Sequence, residues 1–389
     1  MERTSKLVAL ARFWGMLLFG VLLTSEIGAQ RDSLTQKLSF TGDFRFRIEH
    51  DWNSRNASGN LRADRSRLRY RFRFGLHYEL DKRSALGGRL RTGSINDQQG
   101  PHLTLGGGNG EFGLDQIGLE KLYYQYTNKY LRAWIGKNSI NLVKEHELFW
   151  NDNVFPEGVA LHYDFPFGKE KAVNDLQLNL SHFIIRANNQ TFNRDAYLQV
   201  VQLRTRHLGG KLSLFPGLYR FRNIDNLPDR QGTFQLDYNI VHLGASLELS
   251  TQPRVRLAAE YYLNTEDYGQ LDSIPQQLRA EIEGWVLTAK VGQLEKRGDW
   301  QLNVYYAHLA KYSIVDYFAQ NDWARWDYSS IGASGSRLSN FKGVEVRIGY
   351  VLQEKFNLIL RTYFVEQLVA EGDFQENGSR IRLDLNIGF

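Results

Sequence analysis

A row of arginines at every second position is the feature of the sequence best suited to chemistry. The segment RSRLRYRFRFGLHYEL, residues 65–80, has an arginine at each alternate position from Arg65 to Arg73. The planar guanidinium group binds carboxylates and phosphates through paired N–H donors. The row therefore indicates recognition of anions.

Ten arginines on four predicted strands form one basic face, with three carboxylates as candidate acidic partners. These site residues are Arg45, Arg47, Arg67, Arg69, Arg71, Arg73, Arg89, Arg91, Arg380 and Arg382, with Asp43, Glu49 and Asp384 as the partners. The plainer interpretation is a solvated polar face, but such faces normally mix Lys, Thr, Ser, Asn and Glu. Rows of arginine favour anion recognition, and rings of basic side chains are how anion pores select.

Alternation of apolar and polar residues continues along the chain after residue 30 and predicts β-strands. Short connectors are expected at 81–84, 127–129, 164–175, 207–216, 251–254, 291–299 and 353–355, and long ones at 50–65, 94–114, 139–156, 186–196, 222–237, 265–281, 310–339 and 366–378. These fifteen connectors predict sixteen strands. The prediction is weakest around 207–235, where Pro216 falls inside an alternating stretch.

Two fold classes have strands of this kind, a soluble β-sandwich and a membrane barrel. In a barrel the arginines would line the lumen, because an arginine at the bilayer midplane costs about 2–4 kcal/mol. Connectors of alternating length and the apolar Phe389 on the last strand favour the barrel. Residues 30–389 are therefore expected to form an all-β, transmembrane antiparallel β-barrel of about 16 strands (16–18), with short periplasmic turns and long extracellular loops.

The first 29 residues predict a secretory signal peptide. Arg3, Lys6 and Arg12 flank the apolar run FWGMLLFGVLL, and small residues precede a cleavage site after Ala29. The run is too short for a spanning helix. Export to the cell outer membrane of a Gram-negative bacterium follows, with outer-membrane lipid as one partner. The barrel-assembly machinery is a second, through the strand ending in Phe389.

The sequence offers little for catalysis or for cofactors. Without cysteine it has neither disulfides nor thiolate sites. GGGNGEFG, residues 106–113, matches a dinucleotide-binding pattern but opens no predicted helix. The acidic residues near His146 fit no defined metal-ligand spacing. We expect no cofactor, no metal, no nucleic-acid partner and no enzyme; a barrel enzyme or a closed structural or surface-interaction barrel is the alternative from another class.

Four segments carry a family resemblance. FTGDFRFRIEH (40–50) and RLRYRFRFGLHYEL (67–80) resemble the opening hairpin of the alginate-export family of outer-membrane channels, and LEKLYYQYTNKYLRAWIGKN (119–138) and PEGVALHYDF (156–165) resemble its next hairpins. Two positions depart from the family pattern: Lys137 follows Gly136 in place of arginine, and Glu157 precedes Gly158 in place of aspartate.

The resemblance implies an outer-membrane channel for a uronic-acid-type polysaccharide or oligosaccharide. The arginines independently predict an electropositive lumen that passes anionic solutes, and a phosphate- or small-anion-selective porin is the alternative. Two points are left open. The pairs Tyr261-Tyr262 and Tyr305-Tyr306 fit either interfacial girdles or ordinary strand propensity, and the loop at 310–339, with Trp323 and Trp326, could fold inward or outward.

Overall fold

A single antiparallel sheet runs through the described chain and closes on itself. The computed structural model describes residues 37–107, 113, 115–166, 173, 175–189, 191–225, 235–323 and 339–389. The expected signal peptide and Trp326 lie outside these residues. The strands are β1 (Leu38–Arg55), β2 (Arg65–Glu79), β3 (Ser84–Thr92), β4 (Leu103–Thr104), β5 (Ile117–Thr127), β6 (Leu131–Lys137), β7 (Glu157–Phe165), β8 (Asp175–Arg186), β9 (Ala196–His207), β10 (Leu212–Leu214), β11 (Gly217–Asp225), β12 (Gln235–Thr251), β13 (Arg254–Asn264), β14 (Glu283–Gly292), β15 (Trp300–Leu309), β16 (Phe341–Gln353), β17 (Phe356–Gln367) and β18 (Asn377–Gly388).

Helical structure in the described residues is confined to short segments. Four 3-10 turns lie in connectors, at Phe192–Arg194, Leu208–Gly210, Gln276–Leu278 and Asp316–Phe318. No helix within the described ranges has the length and apolar character needed to cross a membrane.

The eighteen strand segments build sixteen positions of a closed barrel. β4 is a two-residue bridge on β2 within a long loop. β10 and β11 occupy one position between β9 and β12 and keep one register, because Leu214 pairs with Thr205 and Gly217 with Gln202. Pro216, which has no N–H to give to the ladder, lies in the gap. The predicted sixteen-stranded barrel is confirmed, and its doubtful stretch is one interrupted strand.

The barrel closes where β18 pairs with β1. Asp43 pairs with Gly388 and Asp51 with Arg380 along this seam. Gly42 and Phe389 exchange two backbone hydrogen bonds, of 3.1 and 3.0 Å, and the Phe389 ring stacks on Phe72 at 6.1 Å. The last residue of the chain is therefore part of the seam.

Connector lengths alternate around the barrel. The shortest turns are residues 80–83, 128–130, 208–211, 252–253 and 354–355, and the longest loops lie at the opposite end. One strand is longer than expected, since β1 continues past residue 50 to Arg55. The extension includes an irregularity near Asn53, whose φ is 48°.

Period-two alternation separates an outward apolar face from an inward polar face on the arginine-bearing strands. Ile48 and Leu68 are 48% and 44% exposed on the outside, whereas Arg47 and Arg71 are 4% and 5% exposed inside. The inward face is not polar everywhere. Tyr262 and Tyr305, offered above as girdle residues, are buried on the inside.

Two loops fold into the lumen and pack against one another. The first inward loop is residues 138–156 and the second inward loop is residues 310–323. Trp150 of the first stacks on Phe318 of the second at 5.0 Å, and Phe149 stacks on Tyr262 of the wall at 4.9 Å. Leu148, Ile314 and other apolar residues join them in one buried cluster. We call this packed region, with the inward faces of β9–β15, the aromatic half.

Two glycines on the neighbouring strands β6 and β7 occupy positions that require glycine. Gly136 and Gly158 face each other across β6 and β7 with φ values of 119° and 151°. A side chain at either position would meet backbone oxygen, that of Leu122 or of His182. Only glycine tolerates both the positive φ and the close approach of the backbone oxygen.

Candidate functional site

The strand register sets arginines and carboxylates opposite one another at the seam. Arg382 pairs with Glu49, and Glu49 pairs in turn with Arg67 on β2. Two residues further along each strand, Arg380 pairs with Asp51. Closure of the last strand on the first, inferred from the sequence alone, predicts that Arg380 and Arg382 lie beside Arg45 and Arg47. This prediction is wrong, because Arg45 pairs with Asn386 and Arg47 with Asp384, and the register brings acidic residues between the arginines.

A cavity of about 320 Å³ opens along this wall, and we call it the basic cavity. Ten of the side chains that line it are arginines and four are carboxylates. They are Arg45, Arg47, Arg65, Arg67, Arg69, Arg71, Arg73, Arg361, Arg380 and Arg382, with Asp97, Glu147, Asp152 and Asp322. Eight of the ten arginines singled out in the sequence are thus brought together.

The three expected acidic partners all contact arginines of the wall. Asp43 forms an ion pair with Arg71. Glu49 pairs with Arg67 and lies 3.6 Å from Nη1 of Arg69. Asp384 accepts a 2.6 Å hydrogen bond from Nε of Arg47. These contacts partly neutralise the wall and hold the guanidinium groups in place.

Arg89 and Arg91 lie apart from the basic cavity, where they share one carboxylate. Glu120 is 2.5 Å from Nε of Arg89, 3.7 Å from Nε of Arg91 and 2.8 Å from Nη2 of Arg73. The pairing between β3 and β5 shifts by one residue at this point, so that Glu120 and Lys121 both face inward. Strict alternation cannot reveal a residue that faces inward because of a bulge, and Glu120 is therefore not among the predicted acidic partners.

Other charged residues in or beside the cavity were also absent from the predicted site. Arg361 stands alone among apolar residues on β17 and forms no row that would single it out. Asp51 lies at the end of the alternation on β1, and Asp322 lies in a loop. Asp51 accepts a 2.5 Å hydrogen bond from Nε of Arg380. Its position, two residues after Glu49, was a signal available in the sequence.

Several guanidinium N–H groups of the wall have no acceptor among the described residues. These are the Nε atoms of Arg67, Arg69, Arg71 and Arg73, all within the row on β2. Arg71 and Arg73 are buried, at 5% and 7% exposure. Buried donors of this kind require an acceptor, which in a lumen is water or a dissolved anion.

The positive field of the wall reaches the loop residues beside it. Burial, and after it Arg47 and Arg45, lower the pKa of His102 well below its ordinary value. Burial would raise the pKa of Glu147, but Arg361 and Arg347 lower it to about 2. The loop histidine is therefore neutral and the loop carboxylate charged at neutral pH.

Two further cavities adjoin the basic cavity. One, of about 470 Å³, lies towards the long loops and shares Asn153 with the basic cavity. The other, of about 340 Å³, lies towards the short turns and shares Glu147 and Asp152 with it. Since all three shared residues belong to the first inward loop, this loop divides a series of chambers that runs along the barrel.

The structure offers no metal centre in the residues it describes. His146 instead faces Glu260 at 3.4 Å, and its Nδ1 accepts a hydrogen bond from the backbone N–H of Leu148. Asp152 forms an ion pair with Nζ of Lys144 at 2.6 Å. These contacts are those of a packed loop.

Comparison with solved structures defines the class as a porin-like barrel. Pseudomonas putida OprB aligns with a TM-score of 0.54 and 12% identity, covering 94% of this chain and 98% of that one. A double mutant of the Rh. blastica porin aligns at 0.50 and 10%, covering 90% and 100%. Vibrio cholerae OmpT, an outer membrane protein in trimer form, aligns at 0.50 and 9%, covering 90% and 99%. At these identities the likeness concerns the fold.

A family model supports the same class from the sequence. Residues 53–234 match the family described as "Putative porin". This segment holds the whole arginine row of β2 and the first inward loop. No curated protein shows significant sequence similarity to the chain. The alginate-export assignment made above is finer than either comparison.

Proposed function

We propose that the protein is an outer-membrane channel that passes anionic solutes through the basic cavity. The observation that carries the proposal is the lining of that cavity by ten arginines against four carboxylates. Paired N–H donors suit carboxylate and phosphate oxygens, and a succession of such sites lets an anion move without being held at one of them. No covalent step is part of the proposal.

The series of three chambers supports the passage of a solute rather than its storage. A solute that enters from the long loops meets the larger chamber first, then the basic cavity, then the chamber near the short turns. The third chamber is also rich in cations, among them Arg256, Lys290 and Arg347. Attraction therefore extends beyond the row on β2.

The test is the ion selectivity of the refolded barrel in a planar lipid bilayer. We expect the reversal potential in a salt gradient to show anion preference. The double variant Arg69→Gln, Arg71→Gln should move that preference towards unity, because two cationic side chains leave the cavity. Arg83→Gln with Arg297→Gln is the matched control, since both arginines are exposed in short turns. A silent or cation-selective barrel would overturn the proposal.

Two narrower substrates are separated by the same preparation. Blockade of the current by added polyuronate would favour the uronic-acid-type substrate that the family resemblance implied. Blockade by inorganic phosphate without any effect of polyuronate would favour a small-anion channel. The path is divided and its chambers are small. A small anion is therefore the better-supported substrate of the two.

A further inference from the structure

One carboxylate in the basic cavity comes from a loop and occupies the position of a ligand. Asp322 belongs to the second inward loop and forms an ion pair with Arg382. Its Oδ1 lies 3.9 Å from Nη1 of Arg47, and its Oδ2 lies 3.9 Å from Nη1 of Arg361. Its backbone carbonyl accepts a 2.9 Å hydrogen bond from Nη1 of Arg380. Four arginines from three strands thus converge on one loop residue.

Neighbouring residues hold this carboxylate in place from outside the arginine group. Trp323 is buried at 2% exposure, stacks on Phe341 at 5.6 Å and donates its indole N–H to Glu345 at 3.2 Å. Gln320 donates to Glu147 of the first inward loop at 3.3 Å. Asp322 is therefore positioned by anchors on either side of it, independently of the guanidinium groups that it faces.

The arginines around Asp322 are not saturated by it. Nε and Nη1 of Arg361 have no hydrogen-bond acceptor among the described residues, and this side chain is buried. Its contacts with Glu147, Asp322 and Glu345 are longer, at 3.7, 3.9 and 3.8 Å. Arg47 and Arg380 keep their own wall partners, Asp384 and Asp51. A carboxylate at this point adds charge compensation, yet its geometry leaves donors available.

We propose that Arg47, Arg361, Arg380 and Arg382 form a binding subsite for the carboxylate group of a permeating solute, and that Asp322 is a tethered carboxylate that competes for it. This proposal rests on the proposed function and deepens it by naming the substrate class. A tethered ligand acts at a high effective concentration, of millimolar order for short connections. A dissolved carboxylate binds only when Asp322 gives way, so the loop residue keeps binding weak and passage fast.

The test measures acetate binding to single channels of the refolded barrel in chloride electrolyte. Asp322→Ala should bind acetate about tenfold more tightly than the wild type, because its internal competitor is gone. Asp152→Ala is the matched control: it removes one negative charge from the same cavity, but Asp152 pairs with Lys144 and not with these arginines. Its acetate affinity should rise much less than that of Asp322→Ala, because only the net charge of the cavity changes.

A second variant covers the case in which Asp322→Ala does not fold. Asp322→Asn keeps the shape of the side chain and should show a gain in the same direction. Equal gains in the Asp322 and Asp152 variants would overturn the proposal, since net charge alone would then explain them. No gain in either Asp322 variant would overturn it as well. In both cases an anion-selective wild type would leave the proposed function standing, whereas a wild type without anion preference would remove that function itself.

Discussion

The two halves of the lumen are built by the same strand pattern and filled in opposite ways. On β1, β2 and β18 the inward residues are charged, and they border the basic cavity. On β11 to β15 the inward residues include Tyr219, Ile240 and Tyr262, which are almost fully buried beneath the two inward loops. Alternation therefore shows which side chains share a face. It does not show whether that face borders solvent or a packed loop.

The difference also explains where the path lies. Both inward loops bring apolar residues that bury surface only against other apolar residues, so they settle on the aromatic half. The charged half keeps its solvent, because covering ten arginines with apolar groups would cost far more than it returned. The basic cavity is therefore eccentric in the lumen and lies along the charged wall.

Detaching the first inward loop should produce the largest effect. Phe149 lies 4.5 Å from Tyr219 and 4.9 Å from Tyr262, ring centre to ring centre. Phe149→Ala should lower the free energy of unfolding by about 3–5 kcal/mol and raise the single-channel conductance. Unfolding in urea, followed in detergent micelles, gives the first quantity. An unchanged conductance would show that the loop does not bound the path.

Breaking the shared carboxylate of the basic wall should come next. Glu120→Gln leaves Arg73, Arg89 and Arg91 without their common partner. We expect a loss at the lower end of the about 3–5 kcal/mol typical of broken buried pairs, since the Arg89 side chain is partly exposed to solvent. Glu366→Gln is the control, because its ion pair with Lys342 is exposed to solvent and contributes little to stability. Similar losses in both variants would contradict the difference in burial.

Acidification should loosen the aromatic half before it affects the basic wall. Burial lowers the pKa of His146 to about 4, although Glu260 acts to raise it. The unfolded chain, with a histidine pKa of about 6.5, takes up the proton first, so stability is lost as the pH falls from about 6.5 towards 4. Between pH 7 and pH 5 the loss from this one group should be about 2 kcal/mol.

The His146→Gln variant isolates this contribution, since every other titrating group is common to both proteins. The free energy of unfolding of the two should converge as the pH falls from 7 to 5. Lys144 and Lys290 lie near His146 and disfavour its protonation further. A constant difference between the two proteins across this range would show that His146 titrates normally.

The smallest effects should come from the outward faces, which are alike in both halves. Leu68 and Leu287 are exposed on the outside, one on each half. Leu68→Phe and Leu287→Phe should each change the free energy of unfolding by about 0.5 kcal/mol or less. A large loss in one half only would mean that its outward face has a partner.

The fold could be predicted because its signals are local. Alternation and connector length gave sixteen strands and the face on which the arginines lie. Pairing across the seam could not be predicted in the same way, since it depends on how strands more than three hundred residues apart are staggered. The interleaving of Arg380 and Arg382 with Asp51 and Glu49 is a consequence of that stagger.

Residues of the site that depend on irregularities or on loops were beyond local reasoning. Glu120 faces inward because of a bulge, and Asp322 because its loop turns into the lumen. The sequence left open whether the loop at 310–339 folds inward or outward. Its residues 310–323, the second inward loop, fold inward. Tyr262 and Tyr305 face inward, although alternation alone allowed either side. Each of these outcomes depends on contacts between segments far apart in the sequence.

The seam between Gly42 and Phe389 has a consequence for how the protein reaches its folded state. Each hairpin closes over a few residues, but this pairing joins residues at opposite ends of the sheet. The entropy of closing a loop rises with its length, so these hydrogen bonds form late. Until they form, β1 and β18 are open strand edges able to pair with other chains. Completion of the pairing between β1 and β18 thus determines how long the folding chain is vulnerable to aggregation.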